Sequence, residues 1–206
     1  MPAKAGSPRK RAARRPASQR RRQIIDVARS IFAQRGYAAT SVSDLAAAAG
    51  IGEPTIYRYF ESKLDLYLAV LEDNAAEIKE NWQRIAQEES DALDAIMSLG
   101  RWYIDQLSER PEPLLLKFRS FGETHDPRIA ELVRRNYLDL AQIVHGLVEK
   151  AIAQESLRPD LDPWALSWSF MAFGALLDVR HVLGIHDRIT PELLREMTRL
   201  MLRLPQ

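Results

Sequence analysis

The chain has no cysteine among its 206 residues, which excludes a disulfide framework, a thiolate metal site and a cysteine nucleophile. Its nine glycines never gather into a phosphate-cradling loop or a G-x-S-x-G elbow, and no paired-histidine motif occurs, so no enzyme signature is present. The four histidines are His125, His145, His181 and His186. The last two stand five apart, off one helical face, and neither a metal nor a cofactor is expected. No long hydrophobic run is found either. The uncharged stretch Trp164–Leu177 falls short of the roughly 20 residues that span a bilayer. A basic N-terminus with no apolar stretch after it lacks the pattern of a secretory leader. A soluble cytoplasmic protein is expected, with no membrane partner.

A strong net charge is also missing, but the balance of +1 conceals a division. Residues 1–22 hold nine Lys and Arg and no acid, whereas residues 64–206 carry a net −8. One end suits a polyanion and the body avoids one. Residues 1–19, rich in Ala, Pro, Ser and positive charge, read as an arm with nothing to bury. Beyond them no strict alternation with β-branched residues stands out, while Ala and Leu number 26 each. The expectation is an all-α chain.

Apolar spacing and punctuation place the helices. Ile24, Ala28, Ile31 and Phe32 form one stripe of a first helix over 20–35, with Gly36 at the position of a left-handed cap. Thr40 or Ser41 caps a short second helix that Gly50 stops. Gly52 and Glu53 start a third, with Pro54 in its first turn, ending near Phe60. Ser62 and Asp65 resemble a capping box for a long fourth helix to about 87. Further helices are expected at 91–109, 113–122, 127–156, 163–183 and 191–203. Three of them are announced by Asp126-Pro127, Asp162-Pro163 and Thr190-Pro191. The organisation expected is an arm (1–19), a three-helix domain (20–66) and a larger helical domain (67–206), with the seam inside the fourth helix.

Two short helices joined by a glycine turn after a longer one describe a helix-turn-helix. A short third helix fits a major groove about 12 Å wide. Thr55, Tyr57, Arg58 and Tyr59 bring hydroxyls and a guanidinium to it, and Lys63 lies where an ammonium and free helix N–H groups favour a phosphate. The basic run ends at Arg22, beside the first helix. Arg14, Arg15, Arg20, Arg21 and Arg22 are therefore expected to add non-specific affinity for DNA, although a solvated tail is the plain alternative.

The segment Gly36-Tyr37-Ala38-Ala39-Thr40-Ser41-Val42, with Leu45-Ala46, Ala49-Gly50-Ile51 and Pro54 through Lys63, closely resembles the DNA-binding domain of the TetR family of transcriptional regulators. The likeness covers about 50 residues; Gly52 stands where many members carry a serine cap. The resemblance implies a homodimeric repressor reading a near-palindrome, with an activator as the alternative. It implies contacts from Thr55, Tyr57, Tyr59 and Lys63 to phosphates, and from Ser41, Ser43, Glu53 and Arg58 to bases or backbone, with Thr40 in the same set. Glu53 repels phosphate, so it either accepts from a cytosine amino group or favours its own helix N-terminus. An adaptor that uses the basic arm on a membrane or a protein is the remote alternative.

Residues 163–183 are apolar nearly all round, and 191–203 repeat the theme. Burial against a second subunit is the simplest outcome, and the resemblance places the dimer contact there too. Trp102, Tyr103, Phe118, Phe121, Tyr137, Trp168 and Phe173, with His125 as a polar anchor beside Arg119 and His145, are candidates to line a small-molecule effector pocket.

Overall fold

The computed structural model describes residues 16–202, and side chains to residue 200. Helices α1 (Ala17–Arg35), α2 (Val42–Ala49), α3 (Glu53–Tyr57) and α4 (Lys63–Glu88) come first. They are followed by α5 (Ala92–Glu109), α6 (Glu112–Ser120), a 3-10 turn (Phe121–Glu123), α7 (Pro127–Ala153), α8 (Pro163–Leu183) and α9 (Pro191–Leu202). Among the described residues there is no strand, and no helix is long and apolar enough to cross a membrane. The chain is all-α, as its composition and periodicity indicate.

Local signals decide most boundaries. Asp126 accepts from the N–H groups of Arg128 (2.9 Å) and Ile129 (3.3 Å), and Asp162 accepts from Ala165 (2.6 Å). Each is followed by a proline whose missing N–H would have had no helical partner. Ser41 rather than Thr40 caps α2, and a full capping box with Asp44 is formed. At α4, Ser62 accepts from the Asp65 N–H at 3.0 Å, while the Asp65 carboxylate engages Arg128 at the start of α7.

Several ends differ from the expected ones. Helix α1 begins at Ala17, three residues early. Helix α3 stops at Tyr57 because Arg58 and Tyr59 tighten into a turn that tucks Phe60, 4% exposed, into the core. Helix α7 stops at Ala153, where Glu155 takes φ 61° and the N–H groups of Ser156 and Leu157 both return to the Ala151 carbonyl. Gly36 has φ 82° and ψ 168°, an extended conformation on the positive-φ side open essentially to glycine alone, rather than the left-handed helical cap expected. Gly50 does adopt that left-handed cap, at φ 64° and ψ 37°, and so sets the angle between α2 and α3.

Two apolar cores result, and α4 contributes to both. Its start (Leu66, Tyr67, Val70, Leu71) packs with Ile24, Phe32, Leu45, Ile56 and Phe60, whereas Ile78, Trp82 and Ile85 pack with α5, α7 and α8. The first core is not closed at residue 66: Leu116 of α6 and Ile129 and Leu132 of α7 belong to it. Aromatic rings hold its centre, with Phe32 edge-on to Tyr67 at 4.9 Å and Tyr37 tilted against Tyr67 at 4.7 Å. Charges add to this join. Arg29, 8% exposed, bridges Asp73 and Glu77 of α4, and Arg135 of α7 meets Glu72 at 3.1 Å.

Candidate nucleic-acid interface and interior cavity

The α2–α3 unit places its side chains by alternation of buried and exposed helix positions. Ile56, 1% exposed, and Phe60 anchor α3 in the core. The opposite side leaves Tyr57 at 51% exposure, with Glu53 and Arg58 also exposed and Thr55 and Tyr59 half-buried. Tyr59 packs partly against the core, which limits its reach. Ser43 is exposed on the first turn of α2. Ser41 is exposed too, but its hydroxyl is held by the Asp44 N–H and carboxylate. That hydrogen bond, first among its causes, keeps the Asp44 carboxyl below its ordinary value.

Three residues expected at the DNA are engaged elsewhere. Thr40 is 1% exposed and its hydroxyl donates to the Gly36 carbonyl at 2.7 Å, so it locks the α1–α2 turn and faces no solvent. The Lys63 ammonium donates to the carbonyls of Tyr37 and Thr40, each at 2.9 Å, and lies 4.2 Å from the Tyr37 ring centroid. A cation at a helix N-terminus opposes the helix dipole, and here those carbonyls offset that cost by tying α4 to the same turn. Arg22 pairs with Asp26 and Asp73 and so is directed to α4. Of its neighbours, Arg20 donates to Gln23 at 2.9 Å, and Arg21 lies 5.1 Å from the Phe60 ring centroid, next to α3. Arg14 and Arg15 lie outside the described residues.

The larger bundle holds two small apolar cavities of about 30 Å³ each, one between α4, α6 and α7, the other reaching α5 and α8. Ile78, Lys117 and Leu140 line both. Lys117 donates to the Tyr103 hydroxyl at 2.6 Å, which donates to Asp178 Oδ1 at 2.7 Å; Lys117 Nζ lies 3.2 Å from Asp178 Oδ2. The Asp178 side chain is fully buried and that of Lys117 is 18% exposed. Burial, the largest cause in each case, lowers the Lys117 ammonium and raises the Asp178 carboxyl, while their mutual attraction opposes both shifts. Asn74, 2% exposed, donates to the Pro113 carbonyl at 2.8 Å and leaves Oδ1 without a partner beside the first cavity.

Expected pocket residues divide accordingly. Tyr103, Phe121, Tyr137 and Phe173 line these cavities. Trp102 packs against the core, and Phe118 meets Phe121 edge-on at 6.4 Å without lining either cavity. Trp168, 41% exposed, stacks between Tyr137 and Trp164 on the surface. His125 is exposed and away from both cavities, and His145 stacks on Trp164 at 4.0 Å; neither anchors a ligand there. The polar residues missed were Lys117, Asp178 and Asn74. Asp178 had a signal: it is the lone acid in the apolar helix 163–183, and an isolated carboxylate there requires a partner. No cluster of three or more histidines or carboxylates suited to a metal occurs among the described residues.

Residues 24–70 match the family described as bacterial regulatory proteins, tetR family. The HTH-type transcriptional activator FasR of Mycolicibacterium smegmatis is 28% identical over 125 residues, spanning 61% of this chain but only 57% of that protein. The HTH-type transcriptional repressor KstR2 of the same organism is 26% identical over 147 residues, or 71% of each chain. The fold of FadR from Bacillus subtilis, solved in complex with stearoyl-CoA, superposes with a TM-score of 0.76 at 17% identity, covering 90% of this chain and 99% of that one. At that identity the likeness is one of fold.

Proposed function

We propose, from the match of residues 24–70 to the TetR family of helix-turn-helix transcriptional regulators, that the chain is an effector-responsive homodimeric repressor of that family that binds a near-palindromic operator in the cytoplasm. One observation carries the DNA-binding part: α3 is anchored by Ile56 and Phe60 while Tyr57 and Arg58 stand free at its surface. Thr55, Tyr57 and Arg58 then meet base edges or phosphates, Glu53 accepts from a cytosine amino group or favours its own helix N-terminus, Ser41, Ser43 and Tyr59 flank them, and Arg21 adds positive potential. The arm, with Arg14 and Arg15, adds sequence-independent attraction. Thr40, Lys63 and Arg22 shape and support the reader.

Residues 20–66 form the reading unit and 67–206 the responding one, with α4 shared. The dimer forms through 163–183 and 191–203. Trp164, Trp168, Val182, Leu183, Leu193 and Leu200 are all more than 40% exposed in the single chain, a concentration of apolar surface that a two-fold partner covers. The cavities around Lys117 are the effector site in its closed form. An effector that prefers an arrangement with the two α3 helices out of register for successive grooves, about 34 Å apart, releases the operator. The neighbour with stearoyl-CoA supports a ligand-binding role for the helical domain.

The test is operator binding by Tyr57→Ala and Arg58→Ala. Each loses about 1–3 kcal/mol of specific affinity while its unfolding free energy stays within about 0.5 kcal/mol of the parent. Unchanged affinity in both variants refutes α3 as the reader.

A further inference from the structure

The cavities around Lys117, about 30 Å³ each, have room for little more than a water molecule, so an effector must reach them from a roomier site. A groove of about 440 Å³ lies between α5, α8 and α9, within the roughly 300–1,000 Å³ of small-molecule sites. Gly100, Phe170 and Phe173 line both this groove and the second interior cavity. At Gly100 the nearest atom to an added Cβ is Phe170 Cε2, at 3.9 Å. Gly100, which sets no side chain against Phe170, and the Phe170 and Phe173 rings are therefore the lining that groove and interior share.

The groove has an apolar floor and a basic rim. Ile96, Met97, Ile104 and Leu194 supply the floor with the two phenylalanines, and Met97 and Ile104 are 38% and 39% exposed. Arg101, Arg180, Arg195 and Arg199 supply the rim. Arg195 and Arg199 are paired with Glu192 and Glu196. Arg101 donates to Ser98 at 2.8 Å, and Arg180 is fixed by the Ile189 carbonyl at 2.6 Å. Among the described residues neither of these two has a carboxylate partner, so positive charge is left over at the mouth.

A second subunit does not account for this face. At about 100° per residue, Phe170, Phe173 and Arg180 share one side of α8, and Trp164, Trp168 and Val182 lie on the opposite side. On α9, Leu194 and Thr198 face the groove, and Leu193 and Leu200 face away from it. Most of the proposed dimer surface (Trp164, Trp168, Val182, Leu193 and Leu200) thus lies across the same helices from the groove, while Leu183, about 60° from Arg180, sits between the two faces.

We propose that this groove is the entrance to the effector cavity and that it selects single-chain aliphatic anions, whose carboxylate or equivalent acid stays at Arg101 and Arg180 while the chain passes Phe170 and Phe173 toward Lys117. The ligand class rests on the effector-responsive reading above; the binding itself does not. Inside, Lys117 and Asp178 neutralise each other, so the interior takes the uncharged end and the rim takes the head group.

Calorimetric titration of the full chain with decanoate, 1-decanol and decyltrimethylammonium, each below micelle formation, tests it. One decanoate binds per protomer, about tenfold tighter than the alcohol and tighter still than the cation, a ratio typical of one partly exposed charged contact. Arg101→Gln removes that advantage and leaves the alcohol unchanged; Gly100→Leu, with its helix content intact, closes the passage to both. Equal affinities for the three probes, an unaltered decanoate affinity in both variants, or absence of binding overturns the proposal. So does a monomeric Ile104→Glu variant, which makes the groove a contact between copies. Operator release is read separately. Decanoate that binds as stated without releasing DNA sinks the effector reading and spares the site; release by another small molecule, with no decanoate bound, does the reverse.

Discussion

Removing Lys117 alone exposes how the larger bundle is held. Lys117→Met strips the fully buried Asp178 carboxylate of its cation and leaves Tyr103 as its remaining hydrogen-bond partner. Breaking a buried pair from one side costs about 3–5 kcal/mol, because the orphaned charge stays desolvated. For a chain of this size that lowers the melting temperature by roughly 6–20 °C. Asp178→Leu has a comparable effect through the stranded ammonium. The double variant Lys117→Met/Asp178→Leu recovers most of the loss. What remains is about 1–3 kcal/mol for the Tyr103 hydroxyl, now unpaired in the core, and adding Tyr103→Phe removes that. Urea unfolding followed by far-UV circular dichroism, at one fixed protein concentration so that dimer linkage is constant, measures all five chains. Single variants that each lose less than about 1 kcal/mol, or a double variant whose loss equals the sum of the singles, refute the coupled buried pair.

Lys63→Met removes two charge-assisted hydrogen bonds to the Tyr37 and Thr40 carbonyls, and partial exposure holds the loss to about 1–2 kcal/mol. Its urea midpoint falls accordingly; a variant of parental stability that has lost only DNA affinity would return Lys63 to the phosphate backbone. Leu183→Glu puts a charge on a residue that is 64% exposed in the single chain and, in the proposed dimer, lies at a two-fold contact. Sedimentation equilibrium should show association weakened by about 3 kcal/mol or more, and an unchanged mass distribution contradicts that interface. Acid acts through the capping and bridging carboxylates. Asp44, Asp65 and Asp91 are held below the ordinary value of 3.8, chiefly by Ser41, Arg128 and Ser156 respectively. Depressed folded values stabilise above that pH, and this contribution is lost as pH falls through them. Asp178, raised by burial, has the opposite sign. Urea midpoints from pH 7 to 3 should therefore hold until about pH 4 and then fall; a steady rise on acidification contradicts the assignment.

The helices were legible because their signals are local. Proline after an Asp or Thr cap, glycine at Gly50 and Gly184, and apolar spacing in α1 each act within a turn or two of chain. The exposed face of α3 was legible for the same reason, with Ile56 and Phe60 four apart beneath Tyr57. What sequence could not give was the use of a side chain by a distant segment. Lys63 looks like a phosphate ligand until the α1–α2 turn supplies two carbonyls, and Arg22 looks like part of a basic arm until Asp73, 51 residues on, takes it. The interior site was half legible: aromatic residues indicated where it lies, but Lys117 meets Asp178 only because α6 and α8 are packed together. Trp168 shows the converse, an aromatic residue read as pocket lining that stacks on the surface instead.

Selection of bound duplexes from a random pool by the full chain tests the central claim most directly. Enrichment of a near-palindrome with half-sites about one helical turn apart, about 34 Å, lost with Tyr57→Ala, is the predicted result. A pool that stays as diverse as its scrambled competitor at moderate salt, without ligand, contradicts it.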